Sequence, residues 1–350
     1  MILVNSESAS HGESGLQTTA RPLAAVLILV LGLVALILAA AVSISVGATD
    51  ISLDTVWNAV FHFNPDLTTH QIIRELRLPR VLAAALAGAA FAAAGAIMQG
   101  MTRNPLADSG ILGINAGAGL MLAVCFAFMP GLPFISLMLF AFAGAALGAV
   151  IVFGAGSMSR GGLSPLRLVL AGAATSALLL AITDGIAIHY QIGRDLAFWF
   201  AGGLAGVSWE QVRLLAPWIL VCLAGAVALS RSITLLSLGN DIAIGLGQRI
   251  GLVKAACTLL VLVLAGASVS VVGAVGFLGL IIPHVARYLV GVDYRWIIPC
   301  SAVLGALLLE LSDIGARLFN PMAETPVGAV TALLGVPFFL YLAMRDRRSS

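Results

Sequence analysis

The stretch LAAVLILVLGLVALILAAAVSISV, residues 23–46, contains 24 consecutive residues without a charge. Crossing about 30 Å of hydrocarbon takes about 20 mainly apolar helical residues, so this stretch is long enough for a transmembrane helix. A signal-peptide core is only roughly 7–15 residues long, so we expect this helix to be retained. The whole chain of 350 residues has a similar character, with 60% hydrophobic residues, 10% charged residues and a mean hydropathy of +1.07. Soluble domains carry about 25% charged residues, so the sequence predicts a polytopic membrane protein.

Nine further apolar stretches of suitable length follow, which predicts an all-α integral membrane protein with ten transmembrane helices. Residues 1–20 are polar and aperiodic, which predicts a disordered tail, and residues 346–350 form a short polar tail. The membrane domain is therefore expected over residues 21–345. The weakest of the ten spans is 275–290, because it is short and contains Pro283. The predicted spans are 23–46, 81–101, 111–129, 134–154, 166–189, 212–230, 252–272, 275–290, 297–317 and 327–344.

The arginines predict the orientation of these spans. An even number of spans places both termini on one side, and cytoplasmic segments carry an excess of Lys and Arg. With the termini inside, twelve cations lie inside: Arg21, Arg103, Arg160, Arg167, Arg231, Arg249, Lys254, Arg287, Arg295, Arg345, Arg347 and Arg348. Six lie outside: Arg74, Arg77, Arg80, Arg194, Arg213 and Arg317. The excess predicts that both termini are cytoplasmic.

The composition and the motifs exclude several functions. A net charge of +2 gives no reason to expect a nucleic-acid partner. The chain has no phosphate-binding loop and no catalytic signature, so we predict no enzymatic activity, no cofactor and no metal site. If ATP drives a transport reaction here, the ATPase must be another chain. Four isolated cysteines in apolar runs are expected to be small core residues: Cys125, Cys222, Cys257 and Cys300.

An ion-coupled secondary transporter is the alternative from a different class, and a membrane-embedded enzyme is a third possibility. Ion-coupled transporters hold charges within the membrane, and this chain offers few of them. The candidates are Asp184, His189, His284 and the set Glu310, Asp313 and Arg317. The last three share one helical face, and their position near the end of a span favours a self-neutralising group of interfacial charges.

Two local patterns predict helix packing and a loop. Gly88, Ala92, Ala96 and Gly100 form a stripe at four-residue spacing, which predicts close helix packing. Residues 231–251 contain four glycines, which predicts a long cytoplasmic loop with short amphipathic helices offered to a partner.

Several long motifs occur in a fixed order along the chain. They are RLPR (77–80), the run LAAALAGAAFAAAGAIMQGMTRNPLADSGILGINAGAG (82–119), LSPLRLVLAG (163–172), FWFAGGLAGVSW (198–209), LSLGNDIAIGLG (236–247), GAVGFLGLIIPHVARYLVG (273–291) and ETPVGAVTALLGVPFFLYL (324–342). In these motifs the chain resembles the permease subunits of ABC importers for ferric siderophores, haem and cobalamin, most closely the ferric-siderophore permeases of the ferric-enterobactin type. The resemblance covers roughly residues 25–345.

The resemblance implies a type II ABC importer permease in a bacterial inner membrane. Its expected partners are a second permease subunit (identical or paralogous), two cytoplasmic ABC ATPases and an extracytoplasmic substrate-binding protein. The expected substrate is a ferric chelate, with a siderophore favoured because Asn240 stands where cobalamin permeases tend to carry Glu. Haem and cobalamin remain alternatives.

The resemblance also implies roles for individual residues. The arginines Arg77, Arg80 and Arg317 are expected to bind the substrate-binding protein. The residues expected to contact the ATPase are Leu238, Gly239, Asn240, Asp241, Ala243, Leu246 and Gly247. The expected cytoplasmic gate comprises Leu163, Ser164, Pro165 and Leu166.

Overall fold

The structure is a computed structural model that describes residues 20–47, 51–157, 165–319 and 325–346. Within these ranges every regular element is helical. The prediction of an all-helical membrane protein is therefore confirmed at this level.

Within the described residues, seven helical segments are long and apolar enough to cross a membrane. One of them, residues 68–102, is continuous from α3 (Thr68–Ile72) through a π-helical turn (Ile73–Arg77) into α4 (Leu78–Thr102). The other six are α1 (Pro22–Ser45), α6 (Phe134–Ser157), α7 (Pro165–Tyr190), α9 (Trp209–Leu238), α11 (Ile250–Val272) and α13 (Tyr294–Phe319). Helices occupy these seven predicted ranges, and α9 extends to Leu238, eight residues beyond its predicted end.

Six further α-helices in the part of the chain that the structure describes are shorter. Three of them are largely apolar: α5 (Ile114–Phe128), α12 (Leu278–Val290) and α14 (Val327–Asp346). Three lie between the long helices: α2 (Leu53–Phe61), α8 (Gly193–Phe200) and α10 (Asn240–Gly245). The predicted span 275–290 is helical only from Leu278, because Phe277 adopts a left-handed conformation with φ of 68° immediately before it.

The expected loop over residues 231–251 is wrong in its first third, because α9 continues to Leu238. The Ser and Thr hydroxyls in this last part of α9 donate to backbone carbonyls of the preceding turn, so these residues do not interrupt the helix. Thr234 Oγ1 donates to the carbonyl of Ser230 at 3.0 Å, and Ser237 Oγ donates to that of Thr234 at 2.7 Å. The loop begins only at Gly239, whose φ of 131° is unfavourable for a residue with a side chain.

Helix α4 lies at the centre of the fold, and small residues allow its neighbours to approach closely. A Cβ atom on Gly88 would overlap the backbone of Gly305 in α13, and a Cβ atom on Gly95 would overlap the backbone of Gly279 in α12. Gly100 is covered by Ile233 and by the Tyr294 ring. The packing role predicted for the small-residue stripe is confirmed, and the four cysteines are all buried as expected.

Two ends of the helix bundle can be distinguished by their contacts. At the first, which we call the Arg77 end, Arg77 contacts the end of α1, and Gly203 N donates to the carbonyl of Val272 at the end of α11. At the second, which we call the Gly239 end, Arg21 N donates to the carbonyl of Val290 at 3.0 Å. Gly239 itself lies near Arg103 at the end of α4.

Candidate functional site

Arginine side chains at the Arg77 end bind the end of helix α1. The last carbonyl groups of a helix have no partner within the helix, and the helix dipole makes this end favourable for cations. Arg77 Nη1 donates to the carbonyl of Ile44 and, at 3.0 Å, to that of Ser45. Arg317 Nη1 donates to the carbonyls of Ser43 at 2.8 Å and Val46 at 2.9 Å. Two of the three arginines predicted to bind a partner therefore also cap α1.

The third of these arginines, Arg80, pairs with a buried carboxylate on α13. Its Nε lies 3.1 Å from both oxygens of Asp313, and its Nη2 lies 2.8 Å from Oδ1. Arg317 Nη2 lies 3.1 Å from the other oxygen, so one carboxylate serves two guanidinium groups. The Asp313 side chain is only 1% exposed, whereas those of Arg80 and Arg317 are 21% and 14% exposed. The sequence correctly indicated a self-neutralising group but missed Arg80.

Glu310 lies one turn before Asp313 on α13 and is fully buried. Neither of its carboxylate oxygens has a hydrogen-bond partner in the described part of the chain. The sequence grouped Glu310 with Asp313 and Arg317 because of their spacing. In the structure, only Asp313 and Arg317 of these three residues form ion pairs.

At the Gly239 end, the loop after α9 presents apolar side chains to the surroundings. Ile242, Ile244 and Leu246 are each more than half exposed, as is Leu238 before them. Ala243 faces inward and is completely buried. Gln248 Nε2 donates to the carbonyl of Ser232 at 3.0 Å and ties the loop back to α9. An exposed, ordered apolar surface of this kind is typical of a protein–protein contact.

The other residues predicted for this loop are arranged around that surface. Asn240 and Asp241 occupy the first turn of α10, Asp241 being exposed. Gly247, with a φ of 78°, ends the short helical segment. The structure thus brings together all seven residues predicted to contact the ATPase. Of the predicted gate, Leu163 and Ser164 lie outside the described residues, while Pro165 and Leu166 begin α7.

The turn between α4 and α5 contains a carboxylate that caps the next helical segment. Asp108 Oδ1 accepts a hydrogen bond from Ser109 N at 2.7 Å, as expected for a residue preceding a helix. Burial raises the pKa of Asp108, and the hydrogen bonds from Ser109 offset only part of this effect. A Cβ atom on Gly279 would collide with this carboxylate, so the turn inserts against the start of α12.

A buried polar network lies near the Gly239 end. Gln99 Nε2 donates to the carbonyls of Gly279 at 3.3 Å and Leu280 at 3.2 Å. Arg287 Nη2 donates to Gln99 Oε1 at 3.3 Å and to the Tyr294 hydroxyl at 2.8 Å. Gln99, a polar residue near the end of the alanine-rich helix α4, is the sequence signal for this network.

A second polar contact at the Gly239 end links the α12–α13 turn to α9. Asp293 accepts hydrogen bonds from Arg295 Nε at 2.8 Å and from Thr234 Oγ1 at 3.4 Å. Burial raises the pKa of Asp293, but the hydrogen bonds and the positive charge of Arg295 outweigh this effect and lower the pKa overall. In the described ranges, no group of three or more His, Cys, Asp or Glu residues is arranged to hold a metal ion.

Comparison with known proteins decides the family. The FecCD transport family matches residues 33–345, almost the whole chain. The chain belongs to the FecCD transport family. The resemblance seen in the sequence motifs is thereby confirmed, and the permease is expected to share the architecture of its relatives.

Curated relatives of this FecCD permease include several iron-uptake proteins. The iron(3+)-hydroxamate import system permease protein FhuB of Bacillus subtilis is 55% identical over 333 residues, covering 95% of this chain and 87% of FhuB. The iron-uptake system permease protein FeuB of Bacillus subtilis is 41% identical and covers 91% of this chain and 96% of FeuB. The ferric enterobactin transport system permease protein FepD of Escherichia coli is 39% identical and covers 90% of this chain and 94% of FepD.

A solved structure shares the fold of the FecCD permease. It is a metal-chelate type ABC transporter in an inward-facing conformation, with a TM-score of 0.80 and 29% sequence identity. The match covers 91% of this chain and 99% of the transporter chain. The helical arrangement described above is therefore one that a membrane transport protein adopts.

Proposed function

We propose that this chain is the permease subunit of a bacterial ABC importer that moves a ferric siderophore into the cytoplasm. The observation that carries the proposal is the family match over residues 33–345, together with the iron-uptake permeases among its relatives. These findings support an ABC importer over a secondary transporter or a membrane enzyme. The exposed apolar loop at the Gly239 end fits the same function, because a chain without a nucleotide-binding motif needs a contact with its motor.

The substrate we propose is a ferric hydroxamate. The relative named for iron(3+)-hydroxamate import is 55% identical, whereas the one named for ferric enterobactin is 39% identical and the hemin permease HmuU of Yersinia pestis is also 39% identical. The ferric-enterobactin-type substrate that the resemblance implies therefore gives way to a ferric hydroxamate. Haem and cobalamin become alternatives to be tested with the same assay.

For the transmembrane architecture, we propose ten membrane helices with both termini in the cytoplasm. The seven long spans and the three shorter apolar helices, α5, α12 and α14, add up to ten. The proposed membrane domain covers residues 21–345, flanked by tails of residues 1–20 and 346–350. The arginine distribution supports an orientation in which the Gly239 end faces the cytoplasm of the bacterial inner membrane and the Arg77 end faces outward.

At the cytoplasmic side, we propose that the exposed loop binds one of two ABC ATPase subunits. Its contact residues would be Leu238, Gly239, Asn240, Asp241, Ala243, Leu246 and Gly247. The exposure of the apolar side chains and the tie between Gln248 and Ser232 support this role, since the surface is both accessible and held in place. Leu163, Ser164, Pro165 and Leu166 remain the proposed cytoplasmic gate, on the basis of the family resemblance.

At the outer side, we propose that Arg77, Arg80 and Arg317 bind acidic residues of the substrate-binding protein. Their clustering within one patch and their partial exposure support this role. Because each also binds inside the fold, a charge-reversal variant would disturb both docking and packing. The contribution of docking is therefore best measured by binding, with folding controlled separately.

A reconstituted transporter tests the function. Liposomes containing the permease, its partner subunit and the ATPase are loaded with ATP, and uptake of radiolabelled ferric hydroxamate delivered by the binding protein is measured. We expect uptake only with ATP and with the binding protein. Uptake by the permease alone, driven by a proton or sodium gradient, would reject the ABC importer.

A variant in the loop tests the coupling assignment. Gly239→Arg should abolish ATP-driven uptake, because a side chain at φ of 131° is strained and the added cation lies at the proposed contact. Gly251→Arg is the control, because it adds the same side chain to an exposed glycine with open space around it, outside the proposed contact residues, and it should retain more uptake. Normal coupling of ATP hydrolysis to uptake in Gly239→Arg would contradict the assignment.

A further inference from the structure

A chamber at the Arg77 end combines apolar walls with two opposite charges. Its volume is about 750 Å³, within the usual range for ligand sites, roughly 300–1,000 Å³. Apolar residues of α5, α6 and α11 form much of its wall, among them Phe126, Phe134 and Leu137. Helix α8 contributes Arg194, Asp195 and Trp199. A large chamber with a small number of polar groups is typical of a site for an amphiphilic ligand.

The two charged residues of the chamber are adjacent in the sequence and available to a ligand. Arg194 and Asp195 occupy the first turn of α8, and both are exposed. Neither has an ion pair or a side-chain hydrogen bond with another described residue. A guanidinium group binds phosphate with two parallel hydrogen bonds, and a carboxylate binds an ammonium group. The pair therefore matches a ligand that carries a phosphate and an amine close together.

An apolar groove adjoins the chamber along the same helices. Its volume is about 350 Å³, and its walls come from α6, α9 and α11. Ser270 lines both spaces, and the α6 residues continue directly from Leu137 in the chamber to Met138 and Leu139 in the groove. Leu139 and Trp218 are more than half exposed on a surface of spanning helices, so this groove faces the lipid.

The depth of the groove matches one leaflet of a bilayer. Along α11 it extends from Ser270 to Leu259, and eleven residues at 1.5 Å each span about 17 Å. Half of a hydrocarbon core of about 30 Å is about 15 Å. The chamber then lies at the level of the headgroups, above an acyl-chain groove of suitable length.

We propose that the chamber and the groove together form a binding site for a phospholipid with a phosphoethanolamine headgroup. Arg194 binds the phosphate, Asp195 binds the ammonium group, and the acyl chains occupy the groove between α6, α9 and α11. In the orientation proposed above the lipid belongs to the outer leaflet. A soluble ferric chelate fits this site less well, because the chamber continues into a groove that is open to hydrocarbon. The site goes beyond the transport function and does not depend on it.

Lipid binding to the purified full-length protein tests the site. The delipidated protein in detergent is titrated with dioleoyl-phosphatidylethanolamine, and bound lipid is counted by native mass spectrometry. We expect one preferred lipid per chain, bound more tightly than phosphatidylglycerol, which lacks the amine, or phosphatidylcholine, whose amine has no N–H donor. Arg194→Gln should weaken binding about tenfold, because a charge-assisted hydrogen bond is lost. Asp195→Asn should weaken phosphatidylethanolamine binding and reduce its advantage over phosphatidylglycerol.

Matched controls separate the site from general lipid binding. Arg213→Gln removes an exposed arginine near the same end, outside the chamber lining, and should leave the affinity unchanged. Glycerophosphoethanolamine, which has the headgroup without acyl chains, should not compete. If Arg194→Gln fails to fold, Arg194→Lys keeps the charge and should show a smaller loss of affinity.

Four results would overturn the proposal. The first is equal affinity for the three lipids, and the second is unchanged lipid binding by Arg194→Gln. Displacement by free glycerophosphoethanolamine would assign the chamber to a soluble phosphate compound. Displacement by a soluble ferric hydroxamate would assign it to the transport route.

Discussion

Replacement of Asp313 by asparagine should destabilise the protein far more than its position near the end of a helix suggests. The carboxylate is 1% exposed and accepts hydrogen bonds from Arg80 while pairing with Arg317. Removing one partner of a buried ion pair costs about 3–5 kcal/mol, because the remaining charge is left without compensation. Since 21% of the Arg80 side chain and 14% of the Arg317 side chain remain exposed, we expect a value near the lower limit, about 3 kcal/mol.

The free energy of unfolding can be measured by titrating dodecylmaltoside micelles with sodium dodecyl sulfate and following the loss of helical circular dichroism. A double-mutant cycle with Arg80→Gln isolates the pair from other effects of the substitutions. We expect a coupling energy of about 1–2 kcal/mol, because the two single variants remove the same interaction. Arg74→Gln is the control. The exposed Arg74 guanidinium lies 4.4 Å from the centroid of the Phe63 ring, and the Trp209 indole bonds to the backbone carbonyl of Arg74, which the substitution keeps. Its loss should cost about 1 kcal/mol or less.

Two outcomes would refute the reasoning. A loss below about 1 kcal/mol for Asp313→Asn would mean that the carboxylate is hydrated or that its pairing is not maintained. Additive effects of Arg80→Gln and Asp313→Asn would mean that the two side chains do not interact. In either case Arg80 would not stabilise the fold, and binding of the substrate-binding protein would be its one proposed role.

Two further predictions concern the packing around α4. Gly95→Ala should prevent accumulation of folded protein in the membrane, because the added Cβ atom would overlap the backbone of Gly279. The control Gly185→Ala, with open space around the residue, should accumulate normally. Equal yields of the two variants on size-exclusion chromatography would contradict this prediction. Gln99→Leu should lower the free energy of unfolding by about 2 kcal/mol. The backbone carbonyls that accept from the Gln99 amide would lose a buried partner, and so would the Arg287 guanidinium. An unchanged unfolding titration would show that water replaces the amide.

Some features of the site could be predicted from the sequence because they depend on neighbouring residues. The Asp108 cap follows from an acidic residue placed just before a helical segment. The break after α9 follows from Gly239, and the exposed loop follows from apolar residues alternating with small polar ones. The error over residues 231–238 has a local cause too. The arginine, serines and threonine make this stretch polar, although in a helix the serine and threonine hydroxyls can bond to the preceding turn.

The partners of the buried charges could not be predicted in the same way. Arg80 and Asp313 are separated by 233 positions, and Arg317 reaches a carbonyl 274 positions away. Helical spacing shows which residues share a face of one helix, but not which helix lies opposite that face. For this reason the sequence assigned Arg77, Arg80 and Arg317 to an external partner. It indicated the pairing of Asp313 with Arg317 on one helix, but neither the capping of α1 nor the pair between Arg80 and Asp313.

The sequence by itself determined that the chain is a helical membrane protein, where most of its long helices lie, and which family it belongs to. These properties follow from apolar composition, length and local motifs, which are present before any helix packs. Only the tertiary structure decided which helices meet, because contact between α4 and α13 depends on the three-dimensional match of small residues such as Gly88 and Gly305. The partners of the arginines at the Arg77 end were determined by the cost of burying a charge in hydrocarbon. These side chains bind the carboxylate and the carbonyl groups that helix packing places next to them.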